Sequence, residues 1–336
     1  MSKRRILITG GAGFIGCHLA DQLSQESENE LVIIDNFSRG RLDREMNDLR
    51  NRSNVQLISA DLTDAATYNQ LGEGYDEVYH LAAIIGVRNV LQEPDKVLHV
   101  NAIATLNLLN WFVRDGGKKL FFSSTSEAYA WTQQFYTLPI PTSEDVPLAL
   151  TELGNPRITY AGSKIFGELA VTQYCLVHQK PFVIVRYHNV YGPRMGTEHV
   201  IPELYWRALN GQNPLDVYSA NHSRAFCYVS DAITATIRSM RVRVAENQVF
   251  HIGNDREEIQ IGDLARRILD RANISVEIQC RAATNDPIIR RCPNISRARA
   301  LLDYEPRVTL DEGLARTLKW YARELVHDAH SKQLSD

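Results

Sequence analysis

Ile6-Leu7-Ile8-Thr9-Gly10-Gly11-Ala12-Gly13-Phe14-Ile15-Gly16 is the stretch that decides the fold. A short apolar run ends in a glycine cluster, and Phe14, Ile15, Leu19 and Leu23 then recur at helical spacing. Gly11, Gly13 and Gly16 satisfy G-x-G-x-x-G, and Gly10, Gly13 and Gly16 also space as G-x-x-G-x-x-G. Such glycines permit a tight turn, leave room for a pyrophosphate near the backbone and let a helix pack closely on a strand. The N-terminus of that helix then offers unpaired N–H groups to phosphate oxygens. A second apolar run, Leu31–Ile34, ends in Asp35, nineteen residues past Gly16. An acid there accepts hydrogen bonds from ribose hydroxyls. Gly10, Gly13, Phe14, Ile15, Gly16 and Asp35 are therefore expected to form a dinucleotide site.

Outward from this unit, apolar runs alternate with helical patterns. Val55–Ser59 precedes Ala60-Asp61-Leu62, Glu77–His80 runs into Leu81-Ala82-Ala83, and Lys119–Ser124 and Phe182–Val185 complete the set in the first half. Helical spacing covers residues 95–113 and about 160–178. Residues 36–54 read as a loop with a short helix. Alternation of this kind predicts an α/β fold: a Rossmann-type, doubly wound parallel sheet with helices on both faces. Ligands of such sheets sit beyond the carboxyl ends of the strands. Residues 131–156 break the pattern, with Pro139, Pro141, Pro147 and Pro156 in a long loop beside the expected site. Beyond Arg186, helical patterns at about 199–209, 231–242, 261–272 and 310–325, with a strand at 248–252, predict a smaller mixed α/β lobe for the substrate. The expected division is a dinucleotide domain over 1–188 with a return segment near 225–252, a second lobe from 189–224 and 253–326, and a polar tail over 327–336 that frays.

Composition excludes several classes of function. The 336 residues carry 37 Lys and Arg against 40 Asp and Glu, a net charge of −3, so no basic excess points to nucleic acid. No apolar run approaches the roughly 18 residues of a membrane span. The basic start Met1–Arg5 leads into an apolar run too short for a signal peptide. Five cysteines (17, 175, 227, 280 and 292) are scattered without a C-x-x-C pair, so neither a disulfide framework nor a metal site is indicated, and a reducing cytoplasm suits them. There is no internal repeat.

Two further stretches carry chemistry. In Tyr160-Ala161-Gly162-Ser163-Lys164 the phenol and the amine are i and i+4 on one helix face. A nearby ammonium, helped by a positively charged nicotinamide ring, is expected to lower the phenol's pKa, so that Tyr160 takes a proton from a hydroxyl as hydride leaves its carbon. In Ser123-Ser124-Thr125-Ser126-Glu127, at the end of the fifth strand, Thr125 offers a hydroxyl to a reacting oxygen and Glu127 a carboxylate for acid–base work. Arg39 and Arg41 could neutralise a 2′-phosphate, but Asp35 repels one, so NAD is expected over NADP.

These motifs together resemble the extended short-chain dehydrogenases/reductases, specifically the NAD-dependent nucleotide-sugar epimerase/dehydratase family. Further points of likeness are Arg186-Tyr187-His188-Asn189-Val190-Tyr191-Gly192-Pro193-Arg194, Arg224–Asp231 and Arg291-Cys292-Pro293. The resemblance spans Ile6 to about Tyr321. It implies that Asp35 and Asn36 hold the adenosine ribose and that Asp61 and Leu62 hold the adenine. Leu81, Ala82, Ala83, Asn101 and Ser123 complete the cofactor site, together with Tyr160 and Lys164. Tyr160 is the implied base, with Lys164 and Thr125 assisting it. Asn189, Arg224 and Arg291 are the implied holders of a nucleotide-diphosphate sugar, with Arg88 and Ser126 also facing it. The chain departs from the family at His188, where a phenylalanine is usual. That histidine is either a core residue or a substrate contact. Ala130 and Ala104 also stand where glycines are usual. A homodimer built on helices 95–113 and 160–178 is a further implication.

Members of this family share oxidation at C4 of the sugar to a transient 4-keto intermediate. Thr125-Ser126-Glu127 resembles the 4,6-dehydratases and UDP-glucuronate decarboxylases, whereas Gly86-Val87-Arg88 and Arg186-Tyr187 look like the 4-epimerases. The expected activity is a dehydratase or decarboxylase that uses Glu127, with a 4-epimerase as the alternative. A non-catalytic NAD-binding sensor is the reading from a different class, and the retained Tyr160/Lys164 pair argues against it.

Overall fold

Seven apolar runs become seven parallel strands in the computed structural model, which describes residues 3–282 and 288–333. They are β1 (Arg4–Thr9), β2 (Asn29–Asp35), β3 (Val55–Ser59), β4 (Tyr75–His80), β5 (Gly117–Thr125), β6 (Phe182–Tyr187) and β7 (Gln248–Ile252). The order across the sheet is β7-β6-β5-β4-β1-β2-β3. Because every pairing is parallel, all carboxyl ends share one edge. The order reverses between β1 and β4, which opens a crevice above Thr9 and His80.

Both faces of the sheet are buried, which explains why its strands read as continuous apolar runs rather than alternating ones. Ile6, Ile8, Leu31, Ile33, Tyr79, Phe121, Val183 and Val185 face one core, together with the helix α1 (Phe14–Ser24) and Val229–Arg241. Leu7, Val32, Ile34, Val78, Leu120, Phe122, Phe182 and Ile184 face the other. There they meet Leu108 and Leu109 of a long helix, Pro94–Trp111, and Ala170 and Val171 of another, Ile158–Val177. The loop after β2 carries a short helix α2 (Arg44–Arg50), capped by Asp43, whose carboxylate accepts from the Met46 N–H at 3.1 Å.

The remainder of the chain builds small sheets beyond the strand ends. Ser223–Ala225 lies between Glu258–Gln260 and Arg290–Arg291, and the register sets Arg224 beside Arg291. Residues 131–156 are not a free loop. The Thr142 N–H donates to Cys292 at 2.9 Å and its carbonyl accepts from Asn294 at 2.7 Å, while the buried Glu144 carboxylate accepts from the His251 N–H at 2.8 Å. The last helix runs from Leu310 to Gln333 and so reaches into the expected polar tail. The last three residues of that tail, 334–336, lie outside the described residues.

Candidate active site

The crevice at the switch point is a cleft of about 620 Å³. Its floor is the glycine-rich turn. Gly10 has φ of +70°, and a Cβ there would lie 2.6 Å from the Ala82 nitrogen. A Cβ on Gly16 would lie 2.3 Å from the Gly10 carbonyl oxygen. Side chains are thus excluded where the turn, α1 and β4 meet, and the cleft stays open to the first N–H groups of α1. Gly13, Phe14 and Ile15 line the same floor.

Asp35 ends β2 at the cleft wall. Its carboxylate accepts from the Ala12 N–H at 3.0 Å and the Phe37 N–H at 2.8 Å. Burial raises its pKa, and those two hydrogen bonds offset part of the rise. Asn36 donates to Asp61 at 3.2 Å. Burial works against Asp61, yet hydrogen bonds from Thr63 and Asn36 hold it below the usual carboxylate range. Leu62, Leu81, Ala82 and Ala83 continue the wall. Asn101 is committed to positioning: its amide oxygen accepts from Ile84 N–H at 2.7 Å, and its NH₂ donates to the Ile84 carbonyl and to Ser163.

At the far end of the cleft, the Ile158–Val177 helix presents Tyr160, Lys164 and Glu168 on one face. Lys164 is buried, donates to the Ser123 carbonyl at 2.7 Å and sits 5.9 Å from the centre of the Tyr160 ring. Burial lowers its pKa to about 8, and Glu168 partly counters that fall. The phenol behaves differently from the expectation of a lowered pKa. Burial, reinforced by the charge of Glu127, pushes it up, while Thr125 and Arg39 pull it down.

Glu127 lies past the end of β5, at the start of a helical turn, Glu127–Ala130. Its carboxylate pairs with the Arg291 guanidinium at 2.7 Å, and the same Nη1 donates to the Ser126 hydroxyl at 3.2 Å. Arg224 donates instead to the carbonyls of Ser223, Ile288 and Ile289. Asn189, with φ of +37°, donates to the Ala225 carbonyl at 3.2 Å. Arg88 is exposed on the cleft rim and donates to Gln92 at 3.2 Å. His188 is corrected as a candidate substrate contact. It is fully buried among Tyr129 and His251, with its ring centroid 4.7 Å from that of His251. Burial and the charges of His251 and two arginines keep it neutral. Gly253, just past the end of β7, leaves room for it: a Cβ there would lie 2.8 Å from the His188 Cβ.

Three features of the site lie outside the sequence reading. Glu168 and Arg186 form a buried, bidentate ion pair at 2.9 and 2.7 Å behind Lys164. Arg39 turns away from Asp35 and donates to the Ile85 carbonyl at 2.7 Å, facing Glu198 across the cleft mouth. Arg194 reaches the underside of the glycine turn. Arg186 and Arg194 begin and end one motif of the sequence and Arg39 stands there as a candidate 2′-phosphate partner, but none of their partners, nor Glu168, carries a local signal.

An adenine dinucleotide fits this cleft: an acceptor at the end of β2, a side-chain-free turn and exposed helix N–H groups follow one another along it. Among the described residues no group of three or more His, Cys, Asp or Glu side chains is placed to hold a metal, and no helix is long and apolar enough to cross a membrane.

Comparison with known proteins agrees with this geometry. The NAD dependent epimerase/dehydratase family model matches residues 6–253. The UDP-N-acetyl-alpha-D-glucosaminuronate decarboxylase of Bacillus cytotoxicus is 32% identical over 335 residues, covering 97% of this chain and 100% of that one. The UDP-glucuronic acid decarboxylase 1 of Xenopus tropicalis is 33% identical, covering 99% of this chain and 75% of that one. Among solved structures, the UDP-glucuronic acid 4-epimerase of Bacillus cereus, in complex with UDP-glucuronic acid and NAD, superposes with a TM-score of 0.83 at 27% identity, covering 95% and 99% of the two chains.

Proposed function

The chain belongs to the NAD-dependent epimerase/dehydratase family, an enzyme acting on nucleotide-diphosphate sugars, and on that premise we propose that it decarboxylates a UDP-hexuronate through a 4-keto intermediate. The observation that carries this reading is the Glu127–Arg291 ion pair, close enough to Tyr160 for the Glu127 charge to act on its phenol, to which Thr125 is also hydrogen-bonded. An epimerase needs only to oxidise and reduce C4. A decarboxylase also needs a polar pair at C5 and C6, to receive a carboxylate and to return a proton.

Bound NAD supplies the acceptor for hydride from C4 and returns it within the same cycle. We assign its adenosine to Asp35, Asn36, Asp61 and Leu62, its diphosphate to the Gly10–Gly16 turn and its nicotinamide ribose to Lys164. Tyr160 takes the proton of the 4-hydroxyl, and Thr125 holds that oxygen. With a ketone at C4, the C5–C6 bond breaks, its electron pair moves onto the C4 oxygen and carbon dioxide leaves. A proton drawn from water returns to C5 through Glu127, whose orientation Arg291 holds. Residues 1–188 thus serve the cofactor. Residues 189–224 and 253–326, with Asn189 and Arg224, serve the nucleotide.

The test is mass spectrometry of products from UDP-glucuronate, UDP-N-acetylglucosaminuronate, UDP-glucose and dTDP-glucose in deuterated water. Loss of carbon dioxide with deuterium kept at C5 is expected from one of the acids. Unchanged mass with inverted C4 would instead establish a 4-epimerase, and loss of water a dehydratase.

The two long helices on one face of the sheet support a homodimer. Leu98, Phe166, Leu169 and Val177 are 42%, 38%, 60% and 73% exposed there, an apolar stripe that a second copy would cover. Light scattering of wild-type and Leu169→Glu protein reads this directly, with a dimer and a monomer as the expected masses. A reducing cytoplasm is the compartment that best suits five free cysteines, four of them buried.

A further inference from the structure

The loop Gly192–His199 belongs to the far side of the cleft, yet its anchor lies under the glycine-rich turn. Arg194 is buried, and its backbone adopts φ of +68°, a left-handed conformation that side chains rarely take. That conformation aims the guanidinium back across the molecule. Nη1 donates to the Gly13 carbonyl at 3.1 Å, and Nη2 to the Ala12 carbonyl and the Arg41 carbonyl, both at 3.3 Å. Asp43, the cap of α2, takes Nε at 2.7 Å and Nη2 at 3.0 Å. The flanking residues add two ties. The Pro193 carbonyl accepts from His18 of α1 at 2.9 Å, and the Met195 carbonyl accepts from the Tyr321 hydroxyl.

We propose that Arg194 is a positioning residue for the diphosphate of the bound dinucleotide, acting through the two carbonyls that it holds in the glycine turn. The physical reason is peptide planarity. A carbonyl and the following N–H point in opposite directions, so holding the Gly13 oxygen beneath the turn fixes the Phe14 N–H toward the cleft. The Phe14 and Ile15 N–H groups are the first of α1 and have no partner within the helix. Arg194 also lines the cleft, so its guanidinium places a full positive charge beside a site that must receive two negative phosphates, in addition to the helix's own partial charge. A lysine would supply the charge without the planar fork that reaches several acceptors at once. This assignment rests on the dinucleotide reading of the cleft.

The experiment measures binding of NAD, ADP-ribose and adenosine to purified wild-type, Arg194→Met, Arg194→Lys and Asp43→Asn proteins by calorimetry or equilibrium dialysis. Wild type is expected to bind all three, and failure to bind any would overturn both the cleft reading and this inference. Arg194→Met is expected to weaken ADP-ribose and NAD by about tenfold or more, and adenosine by no more than about threefold. Equal losses for adenosine and ADP-ribose would mean general loosening and would overturn the proposal, as would unchanged NAD affinity. Should Arg194→Met not fold, Arg194→Lys decides: a selective loss for the diphosphate ligands is expected, and a wild-type ratio of ADP-ribose to adenosine affinity rejects it. Asp43→Asn keeps the carbonyl contacts and is expected to keep that ratio within about threefold.

Discussion

Glu127 and Arg291 are 164 residues apart in the chain and 2.7 Å apart in space. One stands past the end of β5 and the other at the end of the small strand Arg290–Arg291. The arginine side chain is 7% exposed and the glutamate 33%, so the pair is rooted in protein and its acid end is the more open. A charge-assisted hydrogen bond of this kind fixes the carboxylate's direction as well as its charge.

Glu127→Gln keeps the shape but removes the proton carrier. Turnover is expected to fall by roughly 10²- to 10⁴-fold, while NAD affinity stays within a few fold. Because oxidation at C4 precedes the step assigned to Glu127, absorbance near 340 nm should build up under single-turnover conditions. A variant with wild-type turnover would remove Glu127 from the mechanism.

Tyr160→Phe removes the hydroxyl and leaves the ring. The expected loss in turnover is again about 10²-fold or more, this time with no rise in absorbance near 340 nm. The contrast between the two variants orders the steps, since one blocks before oxidation and the other after it.

Lys164 titrates near pH 8, below the usual lysine range, because burial disfavours its charge. Its ammonium is therefore present below about pH 8 and lost as pH rises through that value. Activity that needs this cation should fall on the alkaline side with an apparent pKa near 8. Glu168 counters the shift, so Glu168→Gln should move that limb toward lower pH by about one unit or more. A full pH profile of kcat/KM for both proteins is the measurement, and an unmoved limb would sever Glu168 from Lys164.

The same glutamate closes a buried pair with Arg186 whose two side chains are 7% and 5% exposed. Arg186→Met leaves the carboxylate buried with only the Ser124 hydroxyl still donating to it. Unfolding free energy from urea titration should drop by about 3–5 kcal/mol, and the double variant with Glu168→Gln should lose less than the two single losses added together.

Asp35 is expected to set cofactor choice through charge. A 2′-phosphate would meet a carboxylate already held in place by the Ala12 and Phe37 N–H groups. NADP is expected to bind at least about tenfold more weakly than NAD, and Asp35→Ser should narrow that gap. Tighter binding of NADP by the wild type would reverse this assignment.

What the order of residues determined is local and periodic. Apolar runs of strand length, helical spacing and glycines at fixed intervals each act within a few positions of themselves, so the strands, the turn and the Tyr160–Lys164 pair were legible directly. Asp35 was legible because the β–α–β unit that carries it is short. What only the tertiary structure decided depends on partners brought from far along the chain. His188 sits in a motif of the sequence, yet it packs against the ring of His251 in space that Gly253 leaves open, which no local pattern foretells. Arg291 faces Glu127 because a strand near the end of the chain enters a small sheet in a register that local sequence does not specify. Residues 131–156 read as a long loop because proline disrupts any period, yet Thr142 bridges Pro293 and the Glu144 carboxylate accepts from the His251 N–H of β7, 151 and 107 positions later. Burial likewise pushes the Tyr160 phenol up in the protein without its cofactor, since desolvation belongs to the packed molecule and not to the residue.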